Sequence, residues 1–230
     1  MVDTYILFID KTLENELFTY LMGYVSDEKK RKIQGYYRIE DAQRSLWGDI
    51  LARYAISKSA AIENKQIVFG DNGYGKPVLL GSSAIHFNIS HSGSRVACAI
   101  DDRPVGIDVE SIKPVYLKIA ERFFSKDEYR ELLEKDEEMR LTYFYMLWTL
   151  KESYIKADGK GLAIPLDSFT VSIRNDRIFI QTSDGSPNYF FKQHKLEDTH
   201  MLSVCARHNE FGDIIYLDTH QLFQEIQLYL

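Results

Sequence analysis

Cysteine is scarce in this chain, with two in 230 residues, Cys98 and Cys205. Each lies in a strand-like apolar run, Val96-Ala97-Cys98-Ala99-Ile100 and Leu202-Ser203-Val204-Cys205-Ala206. Neither has a partner at metal-type spacing, so both read as core thiols and no disulfide framework is expected. No apolar run approaches the ~20 residues that a membrane span needs, and nothing resembles a signal peptide. The expectation is a cytoplasmic protein, away from the membrane. A basic excess is missing too: the net charge is −6, which argues against a general nucleic-acid binder. There is no Walker-type or Rossmann-type glycine loop, and no low-complexity tract.

What remains is a chain 45% hydrophobic, long enough to bury a full core as one large domain or two packed halves. A faint repeat favours two halves. Trp47 and Trp148 both sit on amphipathic helical stretches, and both cysteines sit late in apolar strands. The polar, proline-closed stretch Asp101–Pro104 is the best boundary, giving lobes 1–104 and 105–230. Patterning predicts a strand over Tyr5–Asp10, a helix over Ser26–Arg38 capped by Ser26 or Asp27, and a strong helix over Glu40–Ser57. Asp71–Pro77 reads as a turn-bearing loop, and Ile85–Ile89 and Arg95–Ile100 as strands joined by a turn at 91–94. The second half reads as strand, loop, two helices, then strands over Phe169–Ile180 and Met201–Arg207.

Two segments carry chemistry. In Val105-Gly106-Ile107-Asp108-Val109-Glu110 the strand alternation puts Asp108 and Glu110 on one face and Val105, Ile107 and Val109 on the other. In Trp148-Thr149-Leu150-Lys151-Glu152-Ser153-Tyr154-Ile155-Lys156 a helix stacks Glu152 and Lys156 one turn apart, with Lys151 roughly 100° away. Each alone has a plainer reading, a solvated edge strand or a solvent-facing helix. Together, three carboxylates form a cage for a hard cation such as Mg²⁺, with lysines beside it for a bridged anion. That suggests phosphoryl-group chemistry.

In order and spacing, the two segments resemble the 4'-phosphopantetheinyl transferases, and both family signatures are matched in full. The resemblance extends to Phe87-Asn88-Ile89-Ser90-His91-Ser92, to Tyr74-Gly75-Lys76-Pro77, and to Phe123-Phe124-Ser125-Lys126-Asp127-Glu128-Tyr129. It is strongest to the large two-lobed subtype that activates peptide synthetases. It implies an α+β fold with a pseudo-twofold duplication of two similar α/β lobes. It also implies transfer of the phosphopantetheine arm of coenzyme A to a serine hydroxyl of an apo peptidyl or acyl carrier protein, releasing adenosine 3',5'-bisphosphate.

The resemblance assigns Asp108, Glu110 and Glu152 to Mg²⁺, with Mn²⁺ as a substitute. It assigns Lys29, Lys32, Arg44, Lys76, Ser90, His91, Lys151 and Lys156 to coenzyme A, and Glu152, Lys156 and Glu128 to catalysis. Taken by themselves, Gly75-Lys76-Pro77 is a turn, Ser90-His91-Ser92 a polar loop, and Lys29–Lys32 an exposed helix or an electrostatic funnel. Ser125-Lys126-Asp127-Glu128 is a capping-box pattern, so Glu128 has a structural role open to it. The serine proton could pass to Glu152, Glu128 or a metal-bound water. The apolar stretch Ile112–Ser125 should be mostly core, and the resemblance suggests that part of it receives the carrier's helix. A monomer is expected. The alternatives are a transferase devoted to fatty-acid carrier protein, another Mg²⁺-dependent phosphotransferase, or a non-catalytic adaptor for carrier domains.

Overall fold

A computed structural model describes residues 1–175 and 177–229, and its elements run in two rounds of one order. The first round is strand β1 (Val2–Phe8), helices α1 (Asn15–Met22), α2 (Asp27–Gln34) and α3 (Ile39–Ala60), and two hairpins, β2–β3 (Phe69–Asp71, Pro77–Leu79) and β4–β5 (His86–Ser92, Arg95–Asp101). The second is strand β6 (Val105–Ser111), helices α4 (Lys118–Phe123), α5 (Lys126–Glu134) and α6 (Glu137–Asp158), and hairpins β7–β8 (Phe169–Arg174, Arg177–Thr182) and β9–β10 (Phe190–Leu196, His200–Ala206). Strand β11 (Phe211–Asp218) and helix α7 (Thr219–Tyr229) follow.

Sheet order repeats as well. β1-β5-β4 in the first lobe is matched by β6-β10-β9 in the second, and in each the lone strand pairs antiparallel with the last strand of its round. Trp47 and Trp148 lie on the corresponding 22-residue helices α3 and α6, and Cys98 and Cys205 on the corresponding strands β5 and β10. The expected α+β duplication is present.

Several local expectations need correction. Three helices, not two, follow β6. α2 stops at Gln34, where Gly35 caps it, and its start is fixed by the Lys29 N–H donating to Ser26 Oγ at 3.2 Å. His91 and Ser92 end strand β4 instead of forming the turn. The largest difference is the chain's last segment. β11 pairs parallel with β1, and Leu222 and Ile226 of α7 are buried in the first lobe's core, so residues beyond about 210 pack with the first lobe.

Each long helix covers one face of its own sheet. Leu46, Trp47, Ile50, Leu51 and Tyr54 of α3 pack with Tyr5, Leu7, Val96 and Cys98; Phe144, Leu147, Leu150 and Ile155 of α6 pack with Cys205 and Phe169. A third core lies between the lobes, where Val105, Ile107 and Val109 meet Ile6, Ala97 and Ala99. The other face of β6, carrying Gly106, Asp108 and Glu110, therefore turns to α6. A Cβ on Gly106 would stand 2.1 Å from the Ser153 carbonyl oxygen and 2.3 Å from the Ala157 nitrogen. Only glycine lets strand and helix approach that closely. That approach sets Asp108 beside Lys156.

Gly106→Ala is therefore expected to destabilise the protein by at least about 3 kcal/mol in urea unfolding, the clash being with backbone that cannot rotate away. An unchanged midpoint would mean that β6 and α6 do not touch there.

Candidate active site

β4 and β6 are edge strands of separate sheets, and an edge strand carries unpaired N–H groups. Those of β6 are met by side chains from β4. The N–H groups of Ile107, Val109 and Ser111 donate to Asn88 Oδ1 (2.8 Å), Ser90 Oγ (3.2 Å) and Ser92 Oγ (3.1 Å). Asn88, Ser90 and Ser92 are two apart and so share one face of β4. The same hydroxyls donate onward, Ser90 to Asp108 Oδ1 at 3.0 Å and Ser92 to Glu110 Oε2 at 2.7 Å.

α6 supplies the rest. Lys156 Nζ donates to Asp108 Oδ1 at 2.6 Å and to Ser90 Oγ at 3.2 Å. Glu152, one turn earlier, faces the same place, and burial raises its pKa, with Asp108 and Glu110 adding to the rise against the pull of Lys156. Burial likewise raises the Glu110 pKa, against the Ser92 hydrogen bond that lowers it. Asp108 Oδ2 is buried with no hydrogen-bond partner among the described residues. Three carboxylates thus share one lysine.

They line a cavity of about 480 Å³ together with Lys29, Lys32, Tyr36, Ser90, His91, Trp148 and Lys156. Lys29 and Lys32 are three apart on α2, and Lys29 Nζ lies 3.9 Å from Asp49 Oδ2. Burial lowers the Lys29 pKa, as it does that of His91 at the mouth, where Arg44, Lys156 and Lys29 lower it further. The cavity is a place for an anion and a cation together.

Four residues expected here are elsewhere or otherwise engaged. Lys151 is 0% exposed, and its Nζ donates to both oxygens of Glu128 and to the Phe169 carbonyl, each at 2.7 Å. It does not line the cavity. Glu128 is 1% exposed, accepts the N–H groups of Ser125 and Val171 besides Lys151, and completes a capping box on α5. With both oxygens so bonded it is structural, and the catalytic expectation for it is withdrawn. Lys76 Nζ donates to the carbonyls of Val105 (2.9 Å) and Lys156 (2.6 Å), and burial lowers its pKa to about 8. It closes the seam at the C-terminal end of α6, beside Asn72 Nδ2, which donates to the Gly159 carbonyl at 2.6 Å. Arg44 is held by Asp41 and the Gly93 carbonyl beside the mouth, outside the lining residues.

Sequence reasoning missed Asn88 and Ser92. Their signal was the polar i, i+2, i+4 alternation with Ser90. Among the described residues, a trio of metal-type donors within 4.8 Å of one another occurs only at Asp101, Asp102 and His208. There Asp101 already holds His208 Nε2 at 2.8 Å and has the Met1 amino group at 3.7 Å. The three cavity carboxylates are not drawn that close.

Comparison with known proteins places the chain in a family. Residues 104–205 match the family model described as 4'-phosphopantetheinyl transferase superfamily, and residues 12–102 the model described as 4'-phosphopantetheinyl transferase, N-terminal. The 4'-phosphopantetheinyl transferase Sfp of Bacillus subtilis (strain 168) is 41% identical over 218 residues, covering 94% of this chain and 97% of that protein. The transferase gsp of Aneurinibacillus migulanus is 37% identical over 206 residues, covering 90% and 86%. The transferase HetI of Nostoc sp. is 32% identical over 149 residues, covering 62% and 63%.

Glu128→Gln keeps a residue suited to the capping box but leaves the Lys151 charge buried and unpaired, a loss of about 3–5 kcal/mol in urea unfolding. Adding Lys151→Met should restore much of it. A Glu128→Gln protein of full stability that had lost turnover would return Glu128 to catalysis.

Proposed function

The chain belongs to the Sfp-type 4'-phosphopantetheinyl transferases, and we infer that it moves the 4'-phosphopantetheine arm of coenzyme A onto a serine hydroxyl of an apo carrier protein, giving the holo carrier and adenosine 3',5'-bisphosphate. The observation that carries this reading onto the cavity is its mixed lining. Lys29, Lys32 and His91 suit the phosphates of coenzyme A, while Asp108, Glu110 and Glu152 suit a cation held against the diphosphate.

A divalent ion fits these residues on two counts. Asp108 Oδ2 is buried without a partner among the described residues, and burial raises the Glu110 and Glu152 pKa values, a cost that a cation beside them would offset. We assign Mg²⁺, with Mn²⁺ as a substitute, to Asp108, Glu110 and Glu152. When bound, the ion neutralises the diphosphate and makes the phosphorus next to pantetheine electrophilic.

The chain's own groups do the remainder. Lys29 and Lys32 bind the phosphates of the nucleotide end, and His91, which lines the same cavity, assists them there. Lys156, fixed on Asp108 and Ser90, offers its remaining charge to the leaving phosphate. The serine oxygen forms a bond to the phosphorus as the bond to the adenosine bisphosphate oxygen breaks. Glu152 takes the serine proton: Glu128 is sealed in its ion pair, and Glu152 has no hydrogen bond of its own among the described residues.

On this reading the nucleotide end lies against residues 1–104 and the reaction centre against 105–230. The carrier's helix docks over Ile112–Ser125. There Tyr116 is 73% exposed, Ile119 is exposed, and Phe123 packs edge-on to Trp148, which lines the cavity. Peptide-synthetase carrier domains of antibiotic biosynthesis are the proposed substrates, with fatty-acid carrier protein second. The proposed working form is a cytoplasmic monomer. Two buried free thiols suit a reducing compartment, and no helix among the described residues is long and apolar enough to cross a membrane.

Mass spectrometry of apo carrier domains incubated with coenzyme A and Mg²⁺ tests the assignment: each should gain one phosphopantetheine, and a folded Asp108→Ala variant should be slower by orders of magnitude. Carriers unchanged in mass would refute the reading. A second expectation follows from the crowded carboxylates. Glu110 and Glu152 bind protons more readily folded than unfolded, so their ionised forms destabilise the fold above their raised pKa values. At neutral pH the ligand-free Glu152→Gln protein should therefore melt higher than wild type, by about 2–4 °C per kcal/mol relieved, while losing transfer. A lower melting temperature would show that Glu152 contributes to folding instead.

A further inference from the structure

We propose that Ser92, which does not line the cavity, is a positioning residue that aims Glu110, because the tip of hairpin β4–β5 is latched to the second lobe at that point. The inference rests on the cation site assigned above to Asp108, Glu110 and Glu152.

Every polar atom of Ser92 beyond its own N–H is engaged across the seam. Its hydroxyl donates to Glu110 Oε2 at 2.7 Å and accepts the Ser111 N–H at 3.1 Å. Its carbonyl lies 3.1 Å from His200 Nε2 on β10, the strand paired with β6. The other ring nitrogen, Nδ1, is 2.9 Å from the Thr199 hydroxyl. A carbonyl can only accept, so Nε2 carries a proton and donates it to Ser92.

The following residue confirms how closely the tip is seated. Gly93 has φ +58, and a Cβ there would stand 2.9 Å from His200 Nε2 and 3.4 Å from Ser111 Oγ. The turn therefore sits in a socket made by β6 and β10, and Ser92 cannot shift without losing three partners. Glu110 has one side-chain hydrogen bond among the described residues, the one from Ser92. Asp108, by contrast, is held by both Ser90 and Lys156. Removing the Ser92 hydroxyl would free Glu110 alone among the three carboxylates, and would leave the Ser111 N–H without this acceptor. Ligating carboxylates depend on such outer hydrogen bonds, and losing one weakens metal binding by about 10–100-fold.

The test titrates Mn²⁺ into the full-length protein with coenzyme A present, following free Mn²⁺ by electron paramagnetic resonance. Ser92→Ala should bind Mn²⁺ at least about tenfold more weakly, and Ser92→Thr, which keeps the hydroxyl, within about twofold of wild type. In a Glu110→Gln background, Ser92→Ala should add less than about twofold, since its effect runs through Glu110. Ser92→Cys keeps the volume with a weak donor and serves if the alanine variant does not fold. Unchanged Mn²⁺ affinity in Ser92→Ala or Ser92→Cys, even with a lower melting temperature, overturns the proposal and leaves Ser92 structural. No Mn²⁺ uptake by wild type overturns the cation site itself, and this inference with it.

Discussion

The fold depends on how two sheet edges are joined. Strands β4 and β6 do not pair main chain to main chain; Asn88, Ser90 and Ser92 stand between them and accept the N–H groups of Ile107, Val109 and Ser111. Direct pairing would have set the strands about 4.8 Å apart and merged the lobes into one sheet. Side-chain pairing satisfies the same donors and brings hydroxyls to the one face of β6 where acids are carried. Structural satisfaction of an edge and orientation of two carboxylates are accomplished by the same serines. Gly106 completes the arrangement by admitting α6 close enough for Lys156 to reach Asp108.

Charge is handled in two opposite ways within one helix. Lys151 and Glu128 are sealed together, and besides the Ser125 N–H of the α5 cap they bond the Phe169 carbonyl and the Val171 N–H of β7. The ion pair stands where a neighbouring strand would be and fastens α5, α6 and β7. Breaking such a pair is costly because one charge is left alone in a low-dielectric interior. One residue later, the Glu152 side chain is left without a hydrogen bond among the described residues, beside Asp108 and Glu110. Stability is concentrated in the first pair and withheld from the second group, as expected where a site must keep affinity for a ligand. Lys76 and Asn72 then hold the C-terminal end of α6 to the first lobe, so the helix that carries Glu152 and Lys156 is fixed at both its middle and its end.

Much of this was legible from local pattern. A strand has only two faces, so the alternation of Val105, Ile107 and Val109 with Asp108 and Glu110 could be read without tertiary information. The i, i+4 relation put Glu152 and Lys156 together in the same way. The duplication showed through Trp47 and Trp148 because each anchors the central helix of its lobe. What failed was non-local. Lys151 was known to point about 100° away from Glu152, yet only the packed fold shows that Glu128 and Phe169 wait in that direction. Lys76 read by itself as a lysine in a turn and was expected on a phosphate only through the resemblance; nothing in the turn signals the helix end that it meets. The return of β11 to β1 is a parallel pairing over some two hundred residues, invisible to any short window. Asn88 and Ser92 lay inside a recognised string, but their partners are on another strand.

The most direct measurement is anomalous X-ray diffraction from crystals grown with coenzyme A and Mn²⁺. The expected map has one strong manganese peak bounded by Asp108, Glu110 and Glu152, in contact with the coenzyme A diphosphate, and Ser92 still bonded to Glu110. A peak confined to Asp101, Asp102 and His208, or coenzyme A bound with no metal between those three carboxylates, would contradict the cation site built on the β4–β6 seam.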